Sequence, residues 1–244
     1  MLSKKNHGFS LVELSIVLVI VSLLATAVMG GTKLLRTARL STVIKEVTGI
    51  KAAVDAFTTK YSSLPGDFDG AGGLWSDCTS GNGNGNGQIN HTPEFEGGLA
   101  FAHMYYADIL TQAPVRATDA RDIPNQFCAH GHYLPSLARS IVYAIDGLDR
   151  VSGQTVPAAA FGTTDLRKAF IITMGIDTAG AVEWNENALS PKDSFFIDRK
   201  IDDGVYNNGH IAGHEGDATV GCISGGQYNL SATGEICVLA IRFR

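Results

Sequence analysis

The sequence predicts an α+β protein: a long N-terminal helix, apolar in its first half and amphipathic in its second, packed on an antiparallel β-sheet head domain. Three observations predict it. From Phe9 to Gly31 run 23 residues whose only charge is Glu13. Beyond them Leu40, Val43, Val47, Ile50, Val54, Phe57 and Tyr61 recur at alternating steps of three and four, which lines one face of a helix. The remainder carries short β-branched runs bounded by glycine and polar residues, suited to antiparallel strands.

The first run is long enough to cross a bilayer, which takes about 20 apolar residues as a helix. It also exceeds the apolar core of an ordinary secretory signal, about 7–15 residues. A carboxylate inside such a span costs on the order of 2.5–3.5 kcal/mol and is a functional hypothesis by default. Glu13 is therefore the first candidate site residue. A plain signal anchor would explain the span and leave this residue unexplained.

The residues around it, KKNHG followed by FSLVE, resemble the prepilin signature of type IV pilins and their pseudopilin relatives. The matching positions are Lys4, Lys5, Gly8, Phe9, Ser10, Leu11, Val12 and Glu13. The resemblance implies that prepilin peptidase removes a basic leader after Gly8 and methylates the new N-terminus at Phe9. It also implies that Glu13, fifth from Phe9, pairs with the N-terminal amine of a neighbouring subunit as a filament grows. A lone carboxylate and a lone ammonium in low dielectric are each costly, and pairing offsets much of that cost. A glycine at position 8 leaves the backbone open to close approach by the peptidase.

The chain then divides into a leader (1–8), a transmembrane or filament-core helix (9–31), the amphipathic half of the same helix (32–62) and a head (63–244). A continuous helix from Phe9 to Tyr61 has 53 residues, roughly 80 Å at about 1.5 Å per residue. Lys45, Glu46, Lys51 and Lys60 fall opposite the apolar stripe. Gly30–Gly31 weakens the helix by about 1 kcal/mol per glycine relative to alanine, a place for local melting in a filament. Pro65 and Gly66 terminate the pattern. The same stripe would also suit a coiled coil with another protein, but so large a domain following it favours packing on the head.

Within the head, RSIVYAID, KAFIITMG, VGCISGG and GEICVLAIRF read as strands, and PEFEGGLAFAHMYYADIL as a helix. SPKDSFFIDRKIDDG reads as a short helix, with Ser190 as cap, Pro191 in the first turn and Gly204 after its end. The four cysteines, Cys78, Cys128, Cys222 and Cys237, all follow the span, as expected of an oxidising compartment and two disulfides. Three pairings exist; the preferred one joins Cys222 to Cys237, closing a short loop, and leaves Cys78 with Cys128.

Other chemistry is sparse. SGNGNGNGQIN places Asn82, Asn84, Asn86, Gln88 and Asn90 at positions resembling a calcium loop of the EF-hand or dockerin type. Pro93 stands where the closing glutamate belongs, and neutral amides replace aspartates, so a flexible surface turn is the competing reading. Asp198, Asp202 and Asp203 cluster near a helix end, where aspartates commonly cap and turn the chain. With LPGDF and NGNGQI, this segment resembles a group of large bacterial prepilin-like proteins in which such segments recur. CAHGH (Cys128, His130, His132) and HIAGH (His210, His214) lack zinc-site spacing. There is no nucleophile elbow, P-loop or paired CxxC to support an enzyme. A net charge of −5 with no basic stripe beyond the span gives no nucleic-acid partner.

The resemblance implies a structural subunit of a type IV pilus-like filament. Its partners are prepilin peptidase, other pilin subunits in a helical array and an inner-membrane assembly platform. The subunit is stored in the bacterial inner membrane with its head in the periplasm. The size of the head favours a minor or specialised pilin; a type II secretion pseudopilin is the nearest alternative, and a DNA-uptake pilin a further one. A membrane-anchored binding module that never polymerises is the reading from another class. Lys33, Arg36 and Arg39 after the span outnumber Lys4 and Lys5 before it, which by the positive-inside rule argues for the reverse orientation. The cysteines and the peptidase signature outweigh that asymmetry.

Overall fold

The computed structural model describes residues 10–89, 96–116, 132–137, 141–147, 169–175, 188–215 and 221–243. Helix α1 runs from Leu11 to Tyr61, 51 residues without interruption. Gly30–Gly31 does not break it, and no proline lies within it. It stops where Ser62 takes a left-handed backbone with φ 57° and donates its N–H to the Thr58 carbonyl at 2.8 Å, an αL-type C-terminus formed by a serine. Gly66 then turns the chain with φ +96°, and a Cβ there would stand 2.2 Å from the Glu96 carbonyl oxygen, so only glycine fits.

Two compact units make up the fold, Met1–Ser41 and Thr42–Arg244. In the first, the apolar side chains described between Leu11 and Leu35 are exposed, Leu34 and Leu35 at 72 % each. In the predicted stripe Leu40, Val43, Val47, Ile50, Val54 and Phe57 are buried; Tyr61 is half-buried.

The second unit contains helices α2 (Ala71–Leu74), α3 (Glu96–Tyr106) and α4 (Pro191–Ile201), and a 3₁₀ turn at Ser76–Cys78. Its strands are β1 (Val115–Arg116), β2 (His132–Pro135), β3 (Ile141–Gly147), β4 (Ala169–Gly175), β5 (Asn207–Asn208), β6 (Ile211–Glu215), β7 (Ile223–Ser224), β8 (Gln227–Tyr228) and β9 (Cys237–Arg242). Among the described residues seven strands form one sheet in the order β1-β2-β3-β4-β9-β6-β5, with β7-β8 as a separate ribbon. Every pairing is antiparallel. In β3 the five residues Ile141–Ile145 are all buried, as are Cys237–Ile241 in β9. Continuous burial without alternation means that both faces are covered. Helix α3 lies on β2 and β3, and α4 lies on β6 and β9.

Helix α4 starts as the sequence predicts. The Ser190 Oγ accepts the Asp193 N–H at 3.3 Å, and Pro191 occupies the first turn. One expectation, on Glu46, needs correction, and one segment read only for its histidines takes a defined place in the sheet. The HIAGH segment lies largely in β6, paired along its length with β9 from Ile211↔Ile241 to Glu215↔Cys237. Glu46, expected on the solvent side of the helix, is half-buried. Its carboxylate accepts the Tyr143 hydroxyl at 2.7 Å, the Leu137 N–H at 2.7 Å and the Ser136 hydroxyl. A long side chain beside an apolar stripe can thus reach the neighbouring sheet instead of water.

Candidate functional site: the first turn of the long helix

Three residues build the start of α1: Ser10, Val12 and Glu13. Ser10 precedes the helix, and its Oγ accepts the Val12 N–H at 3.3 Å. Glu13 reaches back, its Oε2 accepting the Ser10 N–H at 2.8 Å. The two bonds make a variant of the capping box, with the serine oxygen on the Val12 N–H, and satisfy two N–H groups that a helix start leaves without intrahelical partners. The positive end of the helix dipole adds to the attraction for a carboxylate here. The sequence reading treated Glu13 as uncompensated until a neighbour docks. In the single chain its charge is already partly offset by its own helix end, and Ser10 was not recognised as the partner. The Ser-x-x-Glu spacing carried that signal. Gly8 and Phe9 lie outside the described residues.

Behind this turn the helix is long and apolar enough to cross a membrane by length and composition, with a mean hydropathy of 2.6 over its best window. Its hydroxyl residues are satisfied internally: Ser15 donates to the Val12 carbonyl, Ser22 to Val19 and Thr26 to Ser22 at 2.8–2.9 Å. No polar group among these three is left to solvent, which suits an apolar surrounding.

The asparagine loop is ordered by carboxylates from elsewhere in the chain. Asp67 is 1 % exposed and accepts the Asn86 N–H at 2.9 Å and the Gly87 N–H at 2.8 Å. Glu96, also buried, accepts the Asn84 N–H at 2.9 Å. The amide oxygens hold backbone donors: Asn82 Oδ1 that of Gly72 at 2.7 Å, Asn84 Oδ1 that of Asn86 at 3.0 Å, Asn86 Oδ1 that of Gln88 at 2.8 Å. Gln88 is half-buried, and Asn90 lies outside the described residues.

His103, which sequence reading passed over, ties this loop to the helices. Its Nδ1 accepts the Gly66 N–H at 2.9 Å and its Nε2 donates to the Gly81 carbonyl at 2.7 Å, which fixes the neutral Nε2–H tautomer. Burial pushes its pKa down to about 4. Its ring stacks on Phe57 of α1 with centroids 6.1 Å apart and lies edge-on to Phe68.

The acidic cluster is a turn brace. Ligand atoms of Asp198, Asp202 and Asp203 lie within 4.8 Å of one another. Asp198 accepts the Tyr228 hydroxyl at 2.7 Å and the Gly204 N–H at 3.1 Å. Asp202 accepts the N–H groups of His210 and Ile211, and Asp203 those of Val205 and the Asn208 side chain. Burial raises the Asp198 pKa to about 6, against the lowering effect of its two donors. His210 is exposed. The His214 ring bonds the Glu215 carbonyl through Nδ1 at 2.6 Å. His132 opens β2 opposite Arg116; His130 lies outside the described residues.

Cys222 and Cys237 form a disulfide, and Glu215 fastens the loop they close by accepting the N–H groups of Gly221, Cys222 and Ile223. Cys78 is disulfide-bonded; Cys128, the remaining cysteine, lies outside the described residues.

Against models of known families, residues 3–29 match the prokaryotic N-terminal methylation motif, the type IV pilin and pseudopilin signature. No curated protein and no solved structure matches the chain. The matched segment contains the capping box and most of the apolar run, and the signature is that of structural subunits anchored in a membrane before assembly.

Proposed function

We propose that this chain is a structural subunit of a type IV pilus-like filament, processed by prepilin peptidase after Gly8 and N-methylated at Phe9. The observation that carries the reading is the coincidence of the methylation motif at 3–29 with a helix whose best membrane-spanning window is wholly exposed. Such a surface needs lipid or the helices of other copies to cover it. The subunit waits in the inner membrane with its head in the periplasm, then joins a helical array of pilin subunits through an assembly platform. On docking, Glu13 exchanges its bond to the Ser10 N–H for the charged N-terminal amine of a neighbour. The capping box holds the carboxylate beside the helix end until that exchange. Calcium at the asparagine loop forms no part of the proposed function.

Two variants test the pairing. Glu13→Gln retains a side chain able to cap at this position and removes the charge; Glu13→Ala removes both. Both are expected to reach normal levels in the membrane while the filament fraction sheared from cells falls at least tenfold. Wild-type filament yield in Glu13→Gln would contradict the charge pairing and support a plain anchor.

A further inference from the structure

The asparagine loop contains three consecutive Asn-Gly pairs, Asn82–Gly83, Asn84–Gly85 and Asn86–Gly87, and the structure treats them differently. In an Asn-Gly pair the glycine nitrogen can close a five-membered ring on the asparagine side-chain carbon, because no Cβ obstructs the approach. The Gly83 N–H donates to the Phe68 carbonyl and the Gly85 N–H to the Asp67 carbonyl, both at 2.9 Å. Neither acceptor can take a proton. Gly83 is also wedged in place, since a Cβ there would lie 2.2 Å from the Gly66 carbonyl oxygen. The Gly87 N–H instead donates to a carboxylate, Asp67 Oδ2, at 2.8 Å. The side-chain carbonyl oxygen of Asn86 meanwhile accepts the Gln88 N–H at 2.8 Å.

The geometry points to Asn86–Gly87 as a site of self-catalysed succinimide formation, with Asp67 as general base and the Gln88 N–H as stabiliser of the developing oxyanion. The Gly87 nitrogen attacks Asn86 Cγ as its proton passes to Asp67, forming the ring C–N bond. The tetrahedral oxyanion is held by the Gln88 N–H. Collapse breaks the bond from Cγ to the side-chain nitrogen, which takes the proton back from Asp67 and leaves as ammonia. Water then opens the ring to aspartate or isoaspartate; the net change is water in and ammonia out. No electrons are transferred, and Asp67 is regenerated.

Asp67 suits the role because it is buried, and burial raises its pKa against the opposing pull of its backbone donors, with Asp69 adding a like charge. A more basic carboxylate is the better proton acceptor. The other titratable groups around it are Glu96, bound to the Asn84 N–H, and His103, bound to the Gly66 N–H. Asn86 itself is exposed, so water and departing ammonia have free passage. The product gives the loop a carboxylate that translation did not encode. This chemistry is independent of filament assembly.

Incubating the full-length protein at neutral pH and mapping its peptides by mass spectrometry tests the proposal, with Asn82 and Asn84 as internal controls. Asn86 is expected to convert about tenfold faster than either, or more, with an ammonia-loss intermediate at that site alone. Asp67→Asn is expected to bring Asn86 down to the control rate. Equal rates at all three sites in the wild type, or no fall in a folded Asp67→Asn protein, would overturn it. Should Asp67→Asn unfold, the wild-type pH profile decides. Transfer to a fixed base gives a rate at Asn86 nearly constant between about pH 6 and 8, whereas a tenfold rise per pH unit would mean attack driven by hydroxide and no role for Asp67.

Discussion

Single buried polar residues organise the loops of this head, and His103 is the most informative. Its neutral ring must accept one N–H and donate to one carbonyl, so a proton on Nδ1 removes the acceptor that Gly66 needs. The folded pKa of about 4 lies below the ordinary 6.5. The unfolded chain therefore binds the proton first as pH falls. The stability His103 contributes is complete above about pH 6.5 and is lost progressively down to about pH 4, to a total of about 3 kcal/mol at most. Asp198 acts with the opposite sign: its folded pKa of about 6 stands above the ordinary 3.8, so its cost to the fold shrinks as pH falls through that window. The wild-type slope is a sum, and a His103→Gln variant isolates one part of it. Urea unfolding at pH 7 and pH 4.5 is expected to show wild type losing more stability on acidification than the variant does. Equal losses would contradict a buried neutral histidine. None of this was legible in the sequence, because Gly81 and Gly66 stand 22 and 37 residues from His103 and no periodicity links them.

At the scale of elements, a polar clamp joins α1 to the sheet. Glu46 receives three donors from the segment Ser136–Tyr143, and burial together with the Glu46 bond pushes the Tyr143 hydroxyl pKa up. Glu46→Ala leaves those donors unsatisfied and is expected to destabilise the head by about 2–4 kcal/mol. Tyr143→Phe, which removes one donor and keeps the ring, is expected to cost less, about 1 kcal/mol. Chemical denaturation of both single variants and the double variant measures the coupling; strict additivity would show that the two residues do not act together.

The elements the sequence revealed are those whose local chemistry decides them. The stripe from Leu40 to Tyr61, the Ser190–Pro191 start of α4 and the runs in β3, β4 and β9 all state their period or their cap. Strands β1, β2 and β5 are two to four residues long, too short for a pattern to emerge. β6 was missed because Gly213 and His214 interrupt its apolar character, and its strand state comes from pairing with β9. Glu46 was misread because its partners lie 90 to 97 residues away. At the candidate site the motif was legible in full, while the bond from the Ser10 N–H back to Glu13 was present in the spacing and went unread.

For the whole molecule, the proposed filament subunit combines an exposed apolar helix, a carboxylate bonded at its start and a disulfide-bonded head. Everything depends on whether a new amine is made at Phe9. Intact mass and N-terminal sequencing of the protein recovered from its native membrane test this most directly. The expected result is a chain that begins at Phe9 and carries one extra methyl group, and a chain beginning at Met1 in a strain lacking the peptidase. A chain still beginning at Met1 in cells with an active prepilin peptidase would contradict it, leaving an anchored domain and a carboxylate that only caps its own helix.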